Sequence, residues 1–361
     1  MIMPKDAYDA LTHKLRFPKS KYLRKALELL ISMEEAQVLA ELPTPSEEIA
    51  KKLNRPKKTV DAQIEAMIDK GLIGTKISPE GQRQYFFGAF GSTNPESFVD
   101  GVTHAIAGRH WDDKTRSIKG EKNQEIIDLL FKFCEEEWYR WERVDKLVHR
   151  KYTAVGVGFT QTVFPVWKAL EKSGIKLPES EFYWDARNVA RRAKHISPAA
   201  CACRIRARRC DLPIWTCTTF DLGMIPYETH LEEEKRGVRR SVQAEEWIEL
   251  IGKCEELGMV HIGAHPFAPF VCTCDTCCCN VFVPLIRYAK PSEGLEKSYF
   301  RAVVNKETCQ GCPNCISKCR FEAIKIVKDS ATGKSKPMLT RINASDAVSA
   351  SYNARLTGRS A

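Results

Sequence analysis

Cys309, Cys312, Cys315 and Cys319 are spaced Cys-x2-Cys-x2-Cys-x3-Cys. Three thiolates this close together wrap one loop around a face of a cubane iron–sulfur cluster. Gly311 and Pro313 keep the intervening backbone narrow, so its amides can approach the cluster and donate hydrogen bonds to sulfur. A zinc site rarely draws four cysteines from such a spacing, and a 4Fe–4S loop is the expectation.

A second constellation precedes it: Cys201-x-Cys203-Arg204-x5-Cys210-x6-Cys217, then Cys272-x-Cys274-Asp275-x-Cys277-Cys278-Cys279. These nine cysteines exceed the needs of a single four-ligand site, and two cubanes take about eight. Cys277, Cys278 and Cys279 cannot all face one metal from extended backbone, because alternate residues point to opposite sides. They are expected to serve two neighbouring sites. A four-thiolate zinc site is the main rival. The basic run Arg187, Arg191, Arg192, Lys194, Arg204, Arg206, Arg208 and Arg209 flanks the first group. It is a solvated face, a compensation for the negative charge of thiolate-bound clusters, or a docking patch for an acidic partner. Cys134 and Cys254 sit on helical faces and are expected to be buried thiols. His195, His261 and His265 lie near the cysteines and are expected to be structural.

Fourteen of the fifteen cysteines follow residue 200. The odd count and the tight Cys-x-Cys and Cys-Cys spacings fit metal ligation better than disulfides. The 361 residues carry a net charge of +10, which suits either nucleic acid or an acidic redox partner. No apolar stretch approaches the roughly 18–20 residues of a bilayer span. Residues 1–16 show no apolar core with a small-residue cleavage site. No membrane insertion and a cytoplasmic location are therefore expected.

The elements that must position these cysteines divide the chain into four expected segments, giving an α+β, multidomain fold. Residues 1–92 read as a winged-helix unit: helical periodicity over Tyr22–Ala40, and a capping box at Thr44-Pro45-Ser46-Glu47 opening a short helix to Leu53. A second helix over Pro56–Lys70 ends at Gly71, and a hairpin of Leu72–Ile77 and Arg83–Phe87 follows. Residues 93–195 read as a helical middle, with Glu121–Arg150 strongly helical and a strand and two helices between Phe164 and Lys194. Residues 196–290 are the cysteine-rich iron–sulfur domain, with a helix over Ala244–Glu256. The apolar run Val281–Ile286 is only strand-sized.

Residues 291–361 resemble bacterial-type ferredoxins, in which the fourth cysteine of each motif ligates the other cluster and a proline usually follows it. Arg320 stands in place of that proline. Ile324–Val327 and Pro337–Ile342 supply a hairpin. The resemblance then places the second set of ligands at Arg341, Ala344, Ala347 and Ser351, none of them cysteine. This implies a degenerate second half. The cluster of Cys309, Cys312 and Cys315 then takes an oxygen from Ser351, keeps three irons, recruits Cys319, or borrows a central cysteine.

More widely, several features follow in order: the winged-helix front, Val163–Val166, Cys201-x-Cys203-Arg204, Gly258–His261, the cysteine-dense segment and the ferredoxin unit. The chain thereby resembles a family of soluble 4Fe–4S proteins of anaerobic bacteria and archaea. The family's late segment usually reads Cys-Asn-Cys-Cys-x-Cys-Cys; here Thr273 and Asp275 depart from it and Cys279 is extra. The resemblance implies two to three [4Fe–4S] clusters and redox work, without a substrate. Electron transfer is the expected function, as a carrier or as a subunit of an anaerobic oxidoreductase. The partners would be a ferredoxin-like donor or oxidoreductase subunits, and no side chains suggest acid–base or nucleophilic catalysis. The alternative is a redox- or oxygen-sensing winged-helix transcription regulator that binds DNA. A zinc-stapled interaction scaffold is a third. Residues 1–90 hold fifteen Lys/Arg against twelve Asp/Glu, a balance of only +3 for a DNA reader.

Overall fold

The structure, a computed structural model, describes residues 4–78, 80–89, 93–140, 160–223, 227–265, 268–288, 295, 298–304, 309–328, 335–339 and 354–358. It is mixed helix and sheet, in line with the α+β expectation. Five helices open the chain: α1 (Ala7–Lys14), α2 (Lys21–Leu30), α3 (Met33–Glu41), α4 (Ser46–Lys52) and α5 (Lys57–Asp69). The antiparallel hairpin of β1 (Ile73–Ile77) and β2 (Arg83–Phe87) follows, with Ile73 opposite Phe87 and Ile77 opposite Arg83.

Two sequence expectations change here. The periodic stretch Tyr22–Ala40 is two helices, not one. Ile31 is extended, and Ser32 opens α3 with a capping box: its Oγ accepts the Glu35 N–H at 3.2 Å, and Glu35 Oε2 accepts the Ser32 N–H at 2.8 Å. The apolar rhythm survives the break because Leu27, Leu30, Val38 and Leu39 all enter one core. The box expected at Thr44–Glu47 does not form. Pro45 takes the N-cap position of α4, and it has no side-chain oxygen to offer. Gly71 ends α5 with φ +72°, and a Cβ there would lie 2.2 Å from Gly101 O.

Next come α6 (Pro95–His110), the short pair β3 (Trp111–Asp112) and β4 (Ser117–Ile118), and α7 (Glu121–Phe133). A π-helical turn at Cys134–Trp138 extends α7, and the expected continuation over 141–150 lies outside the described residues. The first apolar core runs from Leu11 through Ile64, Phe98 and Phe133, and it also takes in Ala200, Ile205 and Val283.

The second core surrounds a five-stranded antiparallel sheet: β5 (Thr160–Phe164), β6 (His195–Ala199), β7 (Cys217–Asp221), β8 (Val260–His265) and β9 (Phe270–Cys274). The spatial order is β5-β8-β9-β7-β6. Between the strands lie α8 (Trp167–Ser173), α9 (Ala186–Arg192), α10 (Ala202–Ala207), α11 (Glu228–Lys235) and α12 (Ala244–Glu256). Phe164, Trp184, Phe220, Trp247 and Phe282 fill this core, and Phe321 from the C-terminal loop joins it. The apolar run after the cysteines is helical, α13 (Phe282–Tyr288), because Phe282 and Val283 face the interior from one turn. Beyond it, β10 (Phe300–Val304) pairs with β13 (Ala354–Gly358), and β11 (Ile324–Lys328) with β12 (Ser335–Leu339). The short helix α14 (Asn314–Lys318) carries Cys315. The degenerate ligand positions at 341–351 lie outside the described residues. No described helix is long and apolar enough to cross a membrane.

Candidate metal centre

β6 delivers Cys201 just past its C-terminal end, β7 opens on Cys217, and β9 closes on Cys272 and Cys274. Antiparallel pairing therefore brings these cysteines to one end of the sheet, Cys217 directly opposite Cys272 with sulfurs 3.6 Å apart. Cys272 and Cys274 share a face because they are two residues apart on a strand. Cys201 caps α10, its N–H donating to Ile214 O at 2.6 Å, and the first turn of that helix presents Cys203.

The nine cysteines do not sort by their order in the chain. Cys217, Cys272, Cys274, Cys279, Cys203 and Cys201 form one continuous run of thiol contacts. Cys210, Cys277 and Cys278 form a separate triad, all three sulfurs within 4.8 Å of one another. The backbone after β9 turns instead of staying extended, with Cys279 N–H bonded to Asp275 O at 3.2 Å. Consecutive Cys277 and Cys278 can thus converge, while Cys279 turns to the other group. All fifteen cysteines are free thiols.

Sulfurs packed this closely share protons. In the larger group, hydrogen bonds from Cys217 and Cys274 pull Cys272 down to about 5, and those from Cys203 and Cys274 pull Cys279 down as well. Cys203, Cys217 and Cys274, the donors, are pushed up. In the triad, hydrogen bonds from Cys277 and Cys278 bring Cys210 down to about 2, and the contact with Cys210 pushes Cys277 up to about 12. Full ionisation of either group needs a cation to replace the shared protons.

One cation is built in. Arg204 is 1 % exposed and donates to Thr216 Oγ1 at 3.1 Å, to Thr273 O at 3.2 Å and to Pro213 O. None of these partners is a carboxylate, and its Nε has no partner. Burial works against its charge, but Cys201, Cys278, Cys210 and Cys274 outweigh it and hold the guanidinium protonated. A buried cation whose charged neighbours are thiols and not carboxylates fits a negatively charged metal–thiolate centre. Backbone amides add to this: Asn280 N–H points at Cys203 Sγ and Val281 N–H at Cys279 Sγ, both at 3.4 Å. The Asn280 side chain is held by Tyr139 Oη at 2.6 Å and Arg206 at 3.0 Å.

The basic run resolves into two kinds of residue. Arg187, Arg191, Arg192, Arg208 and Arg209 pair with Asp185, Glu245, Glu179, Asp128 and Glu135 nearer the surface. Arg204 and Arg206 are buried, and Arg206 pairs with Asp100 of α6 at 2.7 Å. No motif marked Arg239, which is buried against Glu233 and adds positive charge near Cys217. His195 bonds Glu234 at 2.8 Å, and buried His261 bonds Glu255 at 2.9 Å and Thr273 at 3.2 Å. The His265 side chain lies outside the described residues. Burial pushes Cys134 and Cys254 each up to about 12, as suits inert thiols.

At the C-terminal loop Cys312 is exposed, Cys309 and Cys315 are half-buried, and Cys319 is buried with the Ala323 N–H 3.3 Å from its sulfur. Burial raises Cys315, and negative charge on Cys312, Cys309 and Cys319 adds to the effect. The loop is seated on the turn after α12. Gly258 has φ +78°, and a Cβ there would lie 2.8 Å from Lys318 O. Lys318 Nζ donates to Glu256 O at 2.5 Å. Among the described residues Cys210, Cys277 and Cys278 lie close enough together to hold a metal ion, the four C-terminal cysteines do not gather as closely, and no disulfide competes for any of them. Comparison of the chain with protein-family models, with curated proteins and with solved structures finds no match to any of them.

Proposed function

We propose that this chain is an iron–sulfur protein that transfers single electrons, as a carrier or as a subunit of an anaerobic oxidoreductase. The carrying observation is Arg204, a buried guanidinium with no carboxylate partner, set between the two central cysteine groups. Bound iron–sulfur clusters supply a reversible one-electron couple without a proton or a substrate bond. In this proposal the residues of the six-cysteine group, the triad of Cys210, Cys277 and Cys278, and the loop of Cys309, Cys312, Cys315 and Cys319 hold the clusters. Arg204 offsets the anionic charge of the central sites, the amides of Asn280 and Val281 stabilise thiolates, and Arg206 fixes Asn280. Exposed Cys312 puts the C-terminal loop nearest to a protein partner.

Purification without air, with iron and acid-labile sulfide quantified and EPR taken before and after reduction, tests this. About eight or more irons per chain and a signal on reduction are expected. Zinc without sulfide would point to a structural scaffold instead. A three-iron signal in the oxidised sample would mean that one site, the triad or the C-terminal loop, supplies only three ligands.

One observation favours a second reading, a redox-responsive regulator with a winged-helix front. α11 touches both the cysteine domain and the hairpin. Its Glu233 pairs with Arg239 near Cys217, while the adjacent Glu232 bonds Arg83 of β2 and Thr75 of β1. Against DNA contact, α5 presents Asp61, Glu65 and Asp69 at four-residue intervals, and two of them are taken by Arg236. A gel shift at several salt concentrations decides: tight binding with a steep salt slope supports the regulator, and none supports the carrier.

A further inference from the structure

Asp275 and Arg320, the two positions where charged residues interrupt the cysteine patterns, meet each other. Arg320 Nε lies 3.0 Å from Asp275 Oδ2, and the Asp275 carboxylate is only 5 % exposed. The other carboxylate oxygen accepts the Cys277 N–H at 2.8 Å. A second link runs beside the first: Thr276 Oγ1 donates to Arg320 O at 3.0 Å. Arg320 Nε also reaches Gly258 O at 3.3 Å, and its Nη2 donates to Leu257 O. Cys319 is covalently next to Arg320, and Cys277 next to Thr276. One side-chain hydrogen bond therefore ties the backbone of the C-terminal loop to Thr276, the residue before the triad's Cys277.

We infer that this junction couples the two cysteine centres: Arg320 locks the C-terminal loop against the triad, and the Asp275–Arg320 pair sets the charge felt at Cys277. The inference rests on the iron–sulfur proposal for its redox part, and on geometry alone for its positional part. Asp275 acts through its hydrogen bond to the Cys277 amide and is a positioning residue. Oδ1 of its carboxylate accepts that amide N–H, and Oδ2 is ion-paired with Arg320 without a hydrogen bond. The exchange the junction serves moves one electron, leaving one centre oxidised by one unit and the other reduced by one, with no ligand exchanged and no proton moved.

The test uses the full chain prepared without air, comparing wild type with Asp275→Asn, Arg320→Gln, Arg320→Lys and the Asp275→Asn/Arg320→Gln double variant. Redox titration followed by EPR should show Asp275→Asn raising the triad potential and Arg320→Gln lowering it, since net positive charge favours the reduced form. The double variant should depart from the sum of the singles, because the two groups are in contact. Spin–spin broadening between the centres in the reduced wild type should weaken in Arg320→Gln and partly return in Arg320→Lys. Hydrogen exchange over residues 309–323 needs no iron: protection should fall by about tenfold or more in Arg320→Gln. Unchanged protection in that variant overturns the inference whatever metal is bound. Altered protection with unchanged potentials and broadening overturns its redox part. Absence of iron and sulfide in the wild type sinks the iron–sulfur proposal but leaves the exchange result to decide the positional part.

Discussion

At the scale of residues, charge decides what the buried positions can do. Replacing Arg204 with Leu removes the cation that faces the central sulfurs. On the iron–sulfur proposal, lower iron content per chain and a lower potential for whatever cluster remains are the expected results of metal analysis and redox titration. Cys134→Ala and Cys254→Ala should keep the wild-type iron count, whereas Cys210→Ala and Cys278→Ala should lose part of it. Glu233 gives a pH dependence. Burial opposes its charge, but Arg239 and His230 outweigh burial and hold the carboxyl at about 2, down from 4.5. A carboxylate depressed in the folded state stabilises the fold above its unfolded value, and that contribution is lost as pH falls from 4.5 towards 2. Its size is up to about 3 kcal/mol. Glu233→Gln should lose stability at neutral pH and show a flatter acid limb in denaturant titrations across that window.

At the scale of elements, local rules were legible where one residue decided them and not where packing did. Gly71 and Gly258 end helices with positive φ as their type suggests, and α12 occupies Ala244–Glu256 as the sequence indicates. The Thr44 capping box had a competitor one residue later in Pro45, while the real box at Ser32 and Glu35 was hidden inside a continuous apolar rhythm. The cysteine motifs marked which residues do chemistry. Their partition was not legible, because Cys210 meets Cys277 only after antiparallel pairing folds β9 onto β7. Asp275 and Arg320 each stood out as departures with opposite charges, the one signal that could have paired them. Gly258→Ala should cost about 1–3 kcal/mol through its left-handed backbone and its closeness to Lys318. Faster protease cleavage within 309–323 would report the displaced loop.

At the scale of the whole molecule, the two apolar cores meet around the cysteines. Ile205 on α10 packs into the first core while Cys274 and Cys279 join the second. Arg206 reaches across to Asp100, and Arg236 ties α11 to Glu65 and Asp69 of α5. Arg236→Ala should lower global stability by about 1–2 kcal/mol, since it breaks a partly buried network and not a single exposed pair. Urea unfolding should show that loss while the iron count stays at the wild-type value. A drop in iron would mean that the front helices help shape the cysteine site.

The interleaving of β7 and β9 also bears on how the protein matures. A nascent chain that has emerged only as far as residue 270 offers Cys201, Cys203 and Cys217 to the larger group and Cys210 alone to the triad. Neither site exists until the ribosome has released the segment that follows. If these sites take iron as proposed, its delivery must wait until residue 279 has emerged, and in the interval those early thiols depend on the reducing power of their surroundings.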